Sequence, residues 1–323
     1  MQKRIQNKVA ESRLTLPAMS VYAGVVWFLA GLIGQQLWMQ LACFVITTFL
    51  MVELNNGNAL IRIYSRMVSS SFLALSCAAS YLFPLLGTQL VTLCFVAMYV
   101  ILFRCYQDKQ SPGWTFYAFL VMSMASLVFP QLLYYVPLLW LLMAVQLYSM
   151  SWRTFLASVI GLLTPYWVAA CYFAYTVATM GDSDAFAKAM QLPMAHLMQL
   201  LTFSVPPYYG GVTLVQALLY AFVVLLAITG MIHFLRNSID DKIRIRQFYG
   251  CFMVVDAFTL TFLALQPQHY AMLMPIAIVS TAPLTGHFLA LTHTKLTNVV
   301  FFVVVAVCLA LAVLSLWMPS LPF

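Results

Sequence analysis

An aspartate inside an apolar stretch is the residue of this sequence that most needs a reason. Asp256 stands in Phe252-Met-Val-Val-Asp-Ala-Phe-Thr-Leu260. At the centre of a membrane helix an ionised carboxylate costs at least about 2.5–3.5 kcal/mol, so it turns toward the interior of a bundle. Two roles fit such a group. It couples to a proton or cation during transport, or it ties two helices together through a hydroxyl. Ser280 and Thr281, at similar depth in the next apolar run, are hydroxyls of the right kind.

A second set is polar and basic. In Glu53-Leu-Asn-Asn-Gly-Asn-Ala-Leu-Ile-Arg-Ile-Tyr-Ser-Arg66, the amides of Asn55 and Asn56 precede Arg62 and Arg66. A spacing of four predicts that the two arginines share a helix face. Guanidinium groups grip phosphate through two parallel hydrogen bonds. With Arg104 and Arg153, which the topology below places on the same side, they make a candidate patch for a lipid phosphate or pyrophosphate. The plainer alternative is that all four anchor loops at the membrane surface.

Other chemistry is thinner. Asp182 and Asp184, in a long loop on the opposite side, are the carboxylates a glycosyl or lipid transferase would need there. Met190, Met194, His196 and Met198 offer thioether and imidazole, but the same spacing makes an apolar helix face. The seven cysteines contain no C-x-x-C and the five histidines no HExxH. Phosphate-binding glycine loops and a nucleophile elbow are missing as well. No metal and no cofactor is expected, and the reading leans away from an enzyme.

Composition says which elements carry these residues. The chain has 323 residues, 64% of them hydrophobic and 7% charged, against roughly 25% charged in soluble domains. Mean hydropathy is +0.95. A soluble globule would lack the charge to cover itself, so an all-α polytopic transmembrane bundle is predicted. The net charge of +7 is read as loop anchoring, with no nucleic acid as partner.

A helix crossing the hydrocarbon core takes about 20 residues. Apolar runs fall near 18–34, 37–52, 68–86, 89–103, 114–130, 131–150, 154–179, 212–235, 247–266, 271–291 and 298–318, which predicts eleven spans. With the N-terminus inside and the C-terminus outside, every Lys and Arg except Lys188 falls on the inner side. Residues 1–17 form a basic segment on that side. The run after them is longer than a signal-peptide core and lacks an A-x-A site, so it reads as an uncleaved first span. Residues 18–323 are expected to form a single transmembrane domain. The loop 180–211 should carry interfacial helices, and the charged inner loop 236–246 a solvated or headgroup-facing surface. Ala79-Ser80-Tyr81-Leu82-Phe83-Pro84 and Ala125-Ser126-Leu127-Val128-Phe129-Pro130 share A-S-x-x-F-P, which suggests a tandem helical hairpin.

Region 114–178 carries Ala125-Ser-Leu-x-Phe-Pro130, Ser151-Trp-Arg153 and Gly161-Leu-Leu-Thr-Pro165-Tyr166. In these it resembles an uncharacterised family of polytopic bacterial inner-membrane proteins of the Bacteroidota envelope. The resemblance implies a Gram-negative inner membrane. The paired hairpins also look like the architecture of multi-span polyprenyl-phosphate-sugar glycosyltransferases. Those enzymes carry an acid in a long first outer loop, where this sequence has the turn Gly34-Gln35-Gln36. The expectation is therefore a membrane component or lipid-binding subunit of an envelope lipid or glycan pathway, with an anionic or polyprenyl-phosphate lipid as partner. A secondary transporter coupled through Asp256 comes next, and a transferase using Asp182 or Asp184 third.

Overall fold

The computed structural model describes residues 4–180, 191, 194–196, 198–203, 207 and 209–317. Among them there is no strand. The α-helices are α1 (Ile5–Glu11), α2 (Thr15–Leu29), α3 (Trp38–Asn58), α4 (Met67–Ala78), α5 (Leu86–Leu102) and α6 (Pro112–Ser126). They continue with α7 (Tyr135–Val145), α8 (Trp152–Met180), α9 (Leu214–Asn237), α10 (Ile243–Leu265), α11 (Tyr270–Leu291) and α12 (Lys295–Trp317).

Each of the eleven apolar runs meets a helix. Among the described residues, seven segments are long and apolar enough to cross a membrane: Trp38–Asn58, Leu86–Cys105, Trp152–Thr176, Leu214–Asp240, Ile243–Leu265, Pro267–Leu291 and Lys295–Trp317. Helices α2, α4, α6 and α7 are shorter, so helix length alone gives seven crossings where hydropathy counts eleven. Hydropathy records apolar residues and misses where the chain leaves the helix. At 1.5 Å per residue a helix like α4 reaches little more than half of a core about 30 Å thick. It stops at Ala78 and passes through a 3-10 turn at Ser80–Leu82 before Pro84.

The chain forms two compact units, residues 1–96 with 206–323 and residues 97–205. In the first, α11 is the central helix. Its apolar window is 83% buried, and α4, α9 and α10 pack on it. The approach to α4 is close enough to require glycine: a Cβ on Gly286 would lie 2.8 Å from the Val68 backbone nitrogen. Small residues let membrane helices meet backbone to backbone, where van der Waals contact replaces the missing hydrophobic drive. An aromatic cluster binds α2, α3 and the end of α4. Trp27 stacks on Phe83 at 4.1 Å between ring centroids, and Phe44 packs against both. Phe83 belongs to the first A-S-x-x-F-P motif, and Ser80 of the same motif meets the Ser315 hydroxyl at 2.7 Å.

Helix α9 begins at a capping box, with Thr213 and Gln216 exchanging side-chain and backbone hydrogen bonds. Helix α1 docks on the C-terminal end of α11. The Gln6 amide donates to the Leu289 carbonyl at 2.7 Å and to the Thr292 hydroxyl at 2.8 Å, and the Asn7 amide to the Thr292 carbonyl at 3.0 Å. A helix end leaves carbonyls without intrahelical donors, and these two amides supply some.

The second unit is organised by α6 against α8. A Cβ on Gly161 would come within 2.5 Å of the Phe116 carbonyl oxygen. The loops at one end are cross-tied, with the Gln107 amide donating to the Leu147 carbonyl at 2.8 Å and the Ser151 hydroxyl to the Lys109 carbonyl at 2.9 Å. The second A-S-x-x-F-P motif closes α6, and its Ser126 hydroxyl meets the Tyr166 hydroxyl at 2.7 Å.

Candidate functional site

Two loops of the first unit converge at the end where α1 docks. One is residues 59–66, between α3 and α4. The other is residues 238–242, between α9 and α10. Helix α3 runs through the Asn-Asn-Gly-Asn segment to Asn58 and stops because Ala59 adopts left-handed geometry, φ 51°. The Asn56-Gly57-Asn58 stretch is therefore the last turn of a helix. Arg62 and Arg66 lie in the loop beyond it, and the predicted shared helix face does not form.

The arginines reach their neighbours from the loop. Arg62 Nη1 is 3.0 Å from Asp240 Oδ2, a half-exposed pair. Arg66 Nη1 donates to Asn56 Oδ1 at 2.8 Å and its guanidinium lies 5.4 Å from the Tyr64 ring centre. Arg244, from the first turn of α10, donates to Asn58 Oδ1 at 3.1 Å. Asn55 serves the loop itself, since its amide donates to the Ser65 carbonyl at 2.9 Å and holds the loop shut. Three guanidinium groups thus stand at one mouth, two of them positioned by neutral amides. Such an array attracts anionic groups, phosphate above all. Arg104 and Arg153 belong to the second unit, where Arg104 sits 4.8 Å over the Trp114 ring and Arg153 is exposed.

Beneath the exposed Asp240, its neighbour Asp241 is buried and accepts from, or donates to, His287 across 3.0 Å (Oδ2 to Nε2). The imidazole is enclosed by rings, with Tyr249, Phe234 and His233 at centroid distances of 4.9, 5.1 and 5.5 Å. Asp241 Oδ1, His287 Nδ1 and His233 Nε2 are buried without a hydrogen-bond partner among the described residues. Sequence reasoning does not find this cluster. Its signal is a histidine inside an apolar run and a doubled aspartate in a short loop, but nothing local pairs positions 46 residues apart.

Asp256 is fully buried in α10, and the Thr281 hydroxyl of α11 lies 3.0 Å from both of its carboxylate oxygens. Thr281 and His287 share α11, six residues and so about 9 Å apart along its axis. Asp182 and Asp184 lie outside the described residues. Nearby in sequence, His196 meets the Tyr166 hydroxyl at 3.3 Å, and partial burial holds its imidazole below the usual range. Among the described residues no group of three or more His, Cys, Asp and Glu is placed to hold a metal.

The fold and this site define a class, a helical membrane protein with a basic, amide-lined mouth at one end of its larger unit. No family model, curated protein or solved structure matches the chain.

Proposed function

We propose that the protein is a lipid-binding component of a cell-envelope lipid or glycan pathway, and that the mouth formed by Arg62, Arg66 and Arg244 holds an anionic lipid phosphate. The observation that carries this reading is Arg66, a guanidinium fixed by the neutral Asn56 and left with its charge to offer. A polyprenyl phosphate suits the site, because its chain stays in the bilayer while its head meets the arginines at the surface. The basic residues at this end, Arg4 and Lys8 of the N-terminal segment included, support a cytoplasmic-facing mouth in an inner membrane under the positive-inside rule. The resemblance to Bacteroidota-type inner-membrane proteins supports the same membrane. Eleven crossings with the N-terminus in and the C-terminus out complete the proposal. The shorter helices α2, α4, α6 and α7 then span with the help of their flanking turns.

Binding to nanodiscs carrying a polyprenyl phosphate, compared with the matching polyprenol, tests the site. A charge-assisted bond contributes about 1.5–3 kcal/mol. The phosphate should therefore bind at least about tenfold more tightly, and Arg66→Ala should lose most of that margin. Arg66→Lys should recover little, since an ammonium lacks the planar fork. Equal binding of phosphate and alcohol would count against the reading.

A second reading, proton- or cation-coupled transport, is favoured by one arrangement. Asp256–Thr281 and His287–Asp241 lie along the same helix, as successive stations of a relay would. Proteoliposomes under an imposed pH gradient test it. Proton uptake abolished by Asp256→Asn in a folded protein would support coupling, and uptake unchanged by it would end this reading.

A further inference from the structure

The first unit contains a cavity of about 270 Å³ between α2, α4, α11 and α12. This is near the lower edge of small-molecule sites, roughly 300–1,000 Å³. Its walls are apolar except for a few hydroxyl-bearing side chains. Ser70, Ser71 and Thr285 line it, each more than nine-tenths buried, and their hydroxyls have no hydrogen-bond partner among the described residues. The Tyr22 hydroxyl, also in the lining, is likewise buried and unpartnered. A buried hydroxyl without a partner is unfavourable in hydrocarbon surroundings, where there is no water to satisfy it. Most serines on a helix relieve this by donating to the carbonyl four residues back. These do not, and four residues with such groups border one space, their oxygens turned away from it. Rotation about a single side-chain bond turns each serine hydroxyl toward it.

Two further features define the occupant. No Lys, Arg, His, Asp or Glu lines the cavity, so nothing there would neutralise a phosphate or a carboxylate. The α12 side of the rim, Val305 and Leu309, is apolar and 41% and 47% exposed, which makes the cavity continuous with the surface that faces hydrocarbon. A ligand would enter sideways from the bilayer.

We propose that this cavity binds an uncharged hydrophobic molecule through its carbonyl oxygens, which accept hydrogen bonds from Ser70, Ser71, Thr285 and Tyr22. Carbonyls on an apolar chain come from two sources, the ester groups of a neutral lipid or the ring of a quinone. The site is independent of the arginine mouth and does not need that reading to hold.

Native mass spectrometry of the full chain in detergent, titrated with decylubiquinone, dioleoylglycerol or hexadecane, tests it. At least one carbonyl-bearing probe should bind one-to-one and more tightly than hexadecane. Which of the two binds identifies the source. The triple variant Ser70→Ala/Ser71→Ala/Thr285→Val should weaken that probe about tenfold, with a thermal midpoint equal to or above that of the wild type. Ala74→Trp, which fills the space, should abolish binding. Should that variant not fold, the triple variant decides by itself. Carbonyl probes that bind no better than hexadecane, or with full affinity to the triple variant, would overturn the proposal.

Discussion

Asp240 and Asp241 are neighbours in sequence with opposite surroundings. Asp240 faces water and pairs with the solvated head of Arg62, an arrangement that contributes little to stability. Asp241 turns inward to His287 among aromatic rings, where losing one partner leaves the other buried without its hydrogen bond. Asp241→Ala should therefore destabilise the fold by about 3 kcal/mol, and Asp240→Ala by less than about 1 kcal/mol. Adding His287→Leu to Asp241→Ala should restore part of the loss, because both polar groups are then gone. Thermal unfolding in one detergent, read as a double-mutant cycle, checks this. Equal effects of the two aspartate variants would show that burial does not separate them.

Helices are held here by close approach more than by sequence propensity. Helix α11 carries Pro275 and Pro283 and still runs unbroken from Tyr270 to Leu291, because packing on every side supports it. Gly286 lies against the Val68 backbone with no room for a Cβ. Gly286→Leu should force α4 and α11 apart and lower the unfolding temperature by more than about 5 °C, roughly the effect of 1–2 kcal/mol in a chain of this kind. Gly113→Ala, where a Cβ meets open space, is the control and should leave it unchanged. The apolar runs announce these helices, since length and hydropathy are local properties. Gly286 and Gly161 are not legible as contacts, because a glycine in an apolar run reads the same whether a neighbouring helix or a lipid lies against it. The apolar run at α4 extends past the end of its helix for the same reason: Leu82 and Phe83 are apolar whether the chain is helical or turning.

Across the molecule, charge asymmetry is visible in the sequence and the pairing that uses it is not. Spacing singles out Arg62 and Arg66, but they work from a loop, each with a partner too far along the chain or on the wrong face for a helical pattern to suggest. Asn58 is one of three asparagines in a short polar segment, and its role in holding Arg244 depends on a fold that joins positions 186 residues apart. Ser70 and Ser71 of the cavity are hidden in the same way, as ordinary serines at the start of an apolar helix. Each of the two units has its own packing, and each carries basic residues in loops at helix ends.

Whether the arginine mouth holds a lipid phosphate is read from the lipids that stay with the protein through extraction. Wild-type protein and an Arg62→Ala/Arg66→Ala variant would be taken from the same membrane into native nanodiscs, and their lipids compared by mass spectrometry. A polyprenyl phosphate or another phosphate-headed lipid should be enriched in the wild type and lost in the variant. The same bulk phospholipids in both samples would refute the lipid-phosphate site and return the arginines to the role of surface anchors.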